Sequence, residues 1–371
     1  MINIKRSFLT ILLFLSFIYV SFAQIPPGYY DSTQGLYTAQ LKTALKTIIT
    51  NGHTQNDYAS LWALFVKTDT KPNAIANYVW DPYSDGNPTY HYIHNQNQCG
   101  NYSQEGDCYN REHSFPASYF GDAYPMYGDL NHLYPTDGYV NNRRSNFPFG
   151  KVTSPTWTSS NGSKLGPCTY PGYTGTVFEP TDSFKGDFAR TYFYMVTRYE
   201  DLIVSWFTSA ASGNEVVHVL DGTTYPALQA WQINLFLQWN VLDPVSQKEI
   251  NRNDSVYAIQ HNRNPFIDHP EFAPMIWSPD AFAYSKLSAT NNILVYPNPA
   301  KDIFNVSFGN ATPNKPIFLL SDITGKKIDI RFNKQDYNYE FDSSTLSKGV
   351  YILTVFMDAN SSTSFNFKII K

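Results

Sequence analysis

The sequence predicts an α+β protein in two folded units: a mainly helical, loop-rich body followed by a small all-β sandwich. Three observations carry this. Apolar residues recur at helical spacing in three stretches before residue 240. Beyond residue 289 that spacing gives way to short alternating runs. A length of 371 residues exceeds what one ordinary core needs.

Composition bounds the possibilities further. With 42% hydrophobic and 16% charged residues the chain is able to bury a core, and an aromatic content of 16%, mostly Tyr and Phe, must largely reside there. A formal net charge of -4 excludes a protein that coats nucleic acid through bulk positive charge. Any such contact has to be local.

The elements follow in order. Lys5 and Arg6 precede an apolar run from Phe8 to Val20, and Ser21-Phe22-Ala23 ends it with small residues. This reads as a signal peptide over 1–23, too short and too cleavable for a membrane anchor, and no later stretch resembles a span. Export permits disulfides. Cys99 and Cys108 bracket a short polar loop and are expected to pair, leaving Cys168 free; without a CxxC or a nearby His pair they do not suggest a metal site.

Tyr37, Leu41, Ala44, Leu45 and Ile48 predict a first helix that stops at Asn51-Gly52. Phe188, Tyr192, Met195, Val196 and Tyr199 predict a second, with Arg190 and Arg198 off the apolar stripe. A third is expected to start at Pro226 and run through Leu228, Trp231, Leu235 and Trp239. Pro and Gly clusters between them make long loops, where sites tend to sit. Residues 24–288 form this body. In 289–371 the runs Phe304/Val306/Phe308, Tyr351/Leu353/Val355 and Phe365/Phe367/Ile369 predict strands, with turns at Gly325 and Gly349. This tail has no His and no Cys, so chemistry belongs to the body.

The densest set of functional groups lies between Glu105 and Lys151. It includes Asn110-Arg111-Glu112-His113-Ser114-Phe115-Pro116, Asp129-Leu130-Asn131-His132 and Asn141-Asn142-Arg143-Arg144-Ser145-Asn146. Phosphodiester hydrolysis needs a base for water, a cation for developing negative charge and a positive group near the leaving oxygen. His113 suits the base, because an ordinary imidazole titrates near ~6.5. Glu112 and Asn141 offer hard oxygens, and a site with so few protein ligands suits Mg²⁺, with Ca²⁺ or Mn²⁺ as substitutes.

A short helix after Asp137-Gly138 would place Asn141, Arg144 and Ser145 on one face, with Arg144 turned toward phosphate. Glu112 and His113, as strand neighbours, share a site only if the strand ends or bulges there, and Pro116 favours an early end. A solvated Glu beside a hydrogen-bonded His is the bland alternative; co-occurrence in one polar window favours the functional one.

At these residues the chain resembles the endonuclease I family of secreted and periplasmic nucleases, which have a ββα-metal (His-Me finger) site. The resemblance rests on Arg111 to Pro116, Gly128-Asp129-Leu130, Pro135 to Asn146, Lys185 to Met195 and His261 to Asp268. It implies a largely nonspecific endonuclease for DNA, and often RNA, that leaves 5′-phosphate ends. His113 would be general base, Glu112 and Asn141 the Mg²⁺ ligands, and Arg111, Arg143 and Asn146 nucleic-acid contacts.

Several periplasmic relatives place a leaving-group arginine in a long loop for which this chain has only Tyr119 to Gly128. Arg144 or Arg111 would then serve. Asn131-His132 reverses a common order, and His132 reads as a buried histidine, not a second base.

The tail resembles the sorting domain of the type IX secretion system, through Val295 to Ala300, Asp322 to Lys326 and Leu346 to Tyr351. That implies a secreted or surface protein recognised by the secretion machinery; separately, a monomer is expected. Against the nuclease stand an inactive surface protein binding nucleic acid or glycan, and a phosphodiesterase for small nucleotides or lipids.

Overall fold

The computed structural model describes residues 25–72, 77–87, 89–278, 293–296, 298, 300, 302–308, 316–335, 338–356 and 364–371. The signal peptide expected over 1–23 and the linker near 289 lie outside the described residues.

The body opens with helices α1 (Thr38–Thr50) and α2 (Leu61–Thr68). An antiparallel pair follows, β1 (Tyr109–His113) and β2 (Leu133–Asp137), leading directly into α3 (Gly138–Arg144). A three-stranded antiparallel sheet comprises β3 (Trp157–Thr158), β4 (Lys164–Pro167) and β5 (Thr176–Glu179). The remainder is helical: α4 (Lys185–Arg198), α5 (Ile203–Thr208), α6 (Val216–Val219), α7 (Ala230–Leu242), α8 (Gln247–Gln260), α9 (Pro265–Asp268) and α10 (Phe272–Trp277).

Helix α4 is the axis of the body, buried at every position from Gly186 to Arg198 and packed against α1, α7 and α9. Gly186 permits this, because a Cβ there would lie 2.0 Å from the Asp243 carbonyl. The arginines expected off the stripe are buried as well. Arg190 Nε donates to Glu249 at 2.7 Å and its Nη1 to Asn240 at 3.1 Å, so partners from α7 and α8 neutralise what the helix pattern assigns to solvent. Glu249 serves twice, completing a capping box with Ser246 at the start of α8.

The expected onset of the third helix at Pro226 is also corrected. Ala227 has φ +75° and Leu228 bridges Leu220, so both leave helical geometry and α7 begins at Ala230.

The tail holds two four-stranded antiparallel sheets. One has the order β10-β11-β7-β6, with β6 Leu294–Tyr296, β7 Ile303–Ser307, β10 Phe332–Gln335 and β11 Asn338–Asp342. The other has the order β13-β12-β8-β9, with β8 Ile317–Asp322, β9 Lys327–Ile328, β12 Val350–Phe356 and β13 Ser364–Ile370. Phe304, Val306 and Phe341 from the first share one core with Leu320, Leu353, Val355 and Ile369 from the second. Alternation along β7, β11 and β12 builds that sandwich. Among the described residues no helix is long and apolar enough to cross a membrane.

Candidate active site

The site is built where β1 and β2 meet α3. The pair is regular, with Glu112 opposite Tyr134 and His113 opposite Leu133, and β1 ends at His113 with no bulge. Asp137 then caps α3: its Oδ1 accepts from the amides of Tyr139 at 2.8 Å and Val140 at 2.9 Å. Gly138 lets the helix start there, since a Cβ would meet the Tyr102 ring at 2.7 Å. Asp137 also accepts from the Gly106 amide at 2.9 Å, which ties the loop closed by the Cys99–Cys108 disulfide to the helix start. Cys168 is free and buried.

Strand alternation divides the chemistry between two faces of β1. On one face stand Asn110 and Glu112, covered by α3. Asn141 Nδ2 donates to Asn110 Oδ1 at 2.7 Å. Glu112 is buried; its Oε1 accepts from Tyr83 Oη at 2.9 Å and pairs with Arg144 Nη1 at 3.1 Å. Burial pushes its carboxyl up to about 7, against the opposing pull of Arg144 and Tyr83.

Arg144, expected to turn toward phosphate, is instead turned into the protein interior. Its side chain is fully buried and donates to the carbonyls of His113 at 3.2 Å and Ser114, and to Tyr192 Oη at 3.2 Å. The helical phase was right in joining it to Asn141, but the space in front of it is filled by β1 itself. Ser145 is the exposed C-cap at φ +52°.

The other face carries Arg111 and His113. His113 Nε2 lies 3.2 Å from the Tyr127 carbonyl. A carbonyl has no proton to give, so Nε2 carries the hydrogen and Nδ1 keeps its lone pair. The ring stacks on Tyr127 at 5.0 Å and on Tyr58 at 5.6 Å between centroids. Burial, aided by His132, Arg111 and Arg144, lowers its pKa to about 3, opposed by the Tyr127 carbonyl. The imidazole is therefore neutral at physiological pH. Arg111 donates to the Tyr58 carbonyl at 2.8 Å, and its guanidinium lies 3.7 Å over the Tyr58 ring and 4.4 Å over Trp62.

The residues present fit a hard divalent cation. Glu112 Oε2 and Asn141 Oδ1 take no hydrogen bond among the described residues, while their partner atoms are held in place. No group of three or more His, Cys, Asp and Glu gathers for a softer or fully protein-ligated metal among the described residues.

Arg143 is exposed and lies over Tyr139 at 5.3 Å and Trp157 at 5.7 Å. Asn146 is half-buried, and its carbonyl accepts from Tyr119 Oη at 2.7 Å. His132 is buried, with Nε2 2.7 Å from the Met126 carbonyl.

Sequence reasoning missed the supporting shell. Tyr83 and Asp81 come from a loop far upstream, and Asp81 Oδ2 accepts from the Asp137 amide at 2.8 Å. Asp137 itself carried a signal, as an Asp directly before a short helix. Asp129 is a buried hub that accepts from Tyr194 and Tyr199 hydroxyls and from Gln260, each at 2.7 Å.

Burial alone would raise the Asp129 carboxyl, but His53, His132, Gln260 and Tyr199 outweigh it and hold the pKa below 3.8. A carboxyl depressed on folding stabilises above its unfolded value, and that stabilisation is lost as pH falls through the folded value. Asp129→Asn is expected to lower the unfolding free energy by about 2 kcal/mol at neutral pH, as expected for hydrogen bonds to a charged group. The gap to wild type should narrow in urea titrations taken below the ordinary carboxylate value of 3.8.

Comparison with known proteins places both parts of the chain in families. A family model described as Endonuclease I matches residues 37–271, and one described as a secretion system C-terminal sorting domain matches 294–371. The chain is 35% identical over 257 residues to an extracellular ribonuclease of Bacillus amyloliquefaciens, covering 67% of this chain and 78% of that protein. It is 34% identical over 256 residues to the extracellular ribonuclease of Bacillus subtilis (strain 168), with the same coverage. An Endonuclease-1 of Buchnera aphidicola subsp. Baizongia pistaciae (strain Bp) is 29% identical over 140 residues, covering 38% of this chain and 45% of that protein.

Proposed function

Because the chain belongs to the endonuclease I family and ends in a secretion sorting domain, it is a secreted nuclease, and we propose a mechanism in which His113 is the general base. The observation that carries the reading is the state of His113: a neutral imidazole at a strand end, its tautomer set by the Tyr127 carbonyl, so that Nδ1 is free to accept a proton. Nδ1 takes that proton from the attacking water, whose oxygen bonds to phosphorus as the P–O3′ bond breaks; O3′ leaves with the bonding pair and takes a proton from solvent water, giving a 5′-phosphate and a 3′-hydroxyl.

Glu112 and Asn141 would hold Mg²⁺, which when bound neutralises charge developing on the phosphate. Burial supports this role for Glu112, since a carboxylate kept out of water gains most from a cation. Arg144 contributes by fixing Glu112 and the His113 carbonyl, as a positioning residue. Arg111 is the better leaving-group arginine, as it shares the His113 face of β1 and its guanidinium is aimed by Tyr58 and Trp62.

Both DNA and RNA are substrates in this reading, and the names of the ribonuclease relatives support the RNA half of it. The catalytic groups themselves contact phosphate and so carry no sequence preference of their own. Purified protein should degrade plasmid DNA and ribosomal RNA with Mg²⁺ and stop with EDTA. Undiminished cleavage in EDTA would exclude the metal, and a lack of cleavage on both polymers would exclude the substrate class.

A further inference from the structure

We infer that a surface cavity beside α3 is a nucleobase subsite, specific for bases that present N–H donors and best matched by guanine; it rests on the nuclease reading only for its place in catalysis. The cavity measures about 510 Å³, and four separate chain segments supply its walls. Glu105 comes from the disulfide loop, Ser160 from the turn between β3 and β4, Asn87 and Tyr90 from the upstream loop, and Tyr139 from α3. A single hydrogen-bond network joins Glu105, Ser160, Asn87 and Tyr90. Glu105 Oε2 accepts from the Ser160 amide at 2.8 Å, from the Ser160 hydroxyl, and from Tyr90 Oη at 3.4 Å. Asn87 Nδ2 donates to Ser160 Oγ at 2.6 Å.

The chemistry selects the ligand. The cavity has aromatic walls in Tyr90 and Tyr139 and no cation in its lining, so it suits a flat uncharged ring better than a phosphate. Glu105 Oε2 is saturated, whereas Oε1 takes no hydrogen bond among the described residues and is left to accept from a ligand. Guanine offers two adjacent N–H groups on its pairing edge; uracil offers one flanked by acceptors that a carboxylate repels.

Position also fits. Tyr139 and Asn141 lie two residues apart on α3, about 200° around a helix some 10–12 Å across. An occupant therefore lies around the helix from Asn141, at an offset from the scissile phosphate that the helix fixes, and not beside it. Arg143, which donates to Tyr139 Oη at 3.0 Å and has no carboxylate partner among the described residues, stands at the rim where the next phosphate would pass.

Calorimetric titration of the full chain with GMP and with UMP tests the subsite without any turnover. GMP should bind at least about tenfold more tightly than UMP, and Glu105→Gln should remove the difference, as expected for one charge-assisted hydrogen bond. Tyr139→Leu should weaken both. Equal binding of the two nucleotides, or a preference that survives Glu105→Gln, would overturn the proposal.

In a second arm, cuts in single-stranded RNA with one guanine should cluster at a fixed offset from it and spread out in Glu105→Gln. Hydrolysis of bis(p-nitrophenyl) phosphate, which has no base, should be the same in both proteins. Selective GMP binding with no cleavage of any substrate would leave the subsite standing and remove the nuclease mechanism instead.

Discussion

Replacing His113 with alanine is expected to lower the rate of DNA cleavage by about 10²- to 10⁴-fold, the range over which a positioned general base contributes. Nothing else on that face of β1 replaces it. Arg111 has no basic lone pair, and His132 is sealed in the core with its Nε2 on the Met126 carbonyl. The pH profile separates His113 from its neighbour. With its pKa lowered to about 3, the His113 imidazole stays a base through mild acid, so the rate should show no loss from this group near 6.5.

Glu112 behaves in the opposite sense. Its carboxyl is raised to about 7 by burial, so protons compete with the cation below that value. Increasing Mg²⁺ should move the acid limb of the rate profile to lower pH. Stopped assays across pH at two Mg²⁺ concentrations check both points, and a limb that ignores Mg²⁺ would detach Glu112 from the metal.

The second large effect concerns stability. Arg144→Ala should reduce the unfolding free energy by about 3–5 kcal/mol, because it strips the partner from a buried carboxylate and removes the donor to the His113 carbonyl, leaving the Ser114 carbonyl with Tyr192 Oη alone. Urea unfolding measures it. Adding Glu112→Gln to that variant should recover part of the loss, since no buried carboxyl then has to hold a charge or take up a proton. An arginine whose work lay at the leaving oxygen would instead lose turnover while unfolding at the wild-type urea concentration.

Those contrasting outcomes mark what could be read in the residues beforehand. Glu112, His113 and Asn141 stand in short contiguous motifs, and one strand and one short helix suffice to present them. The burial of Arg144 was not legible. Helical phase places it with Asn141, but its surroundings are carbonyls of β1 and the hydroxyl of Tyr192, 48 residues away.

Arg190 repeats the lesson, since its partner Glu249 is 59 residues distant and no local pattern announces it. Tyr83 and Asp81 sit in an irregular loop, where neither periodicity nor a cap exposes their role. The tail was easier where a strand alternates, as β12 does, because alternation directly states which side chains face the core. Pro226 misled for a local reason: its place at a helix start is a preference, and the backbone at Ala227 and Leu228 overrides it.

The Mg²⁺ concentration for half-maximal cleavage, compared among wild type, Asn141→Ala and His113→Ala, tests the central claim most directly. Asn141→Ala should need at least about tenfold more Mg²⁺, as loss of a metal-site group usually costs, whereas His113→Ala should lose turnover with its Mg²⁺ requirement unchanged. If Asn141→Ala saturates at the wild-type Mg²⁺ concentration, the cation is held elsewhere and the account is contradicted.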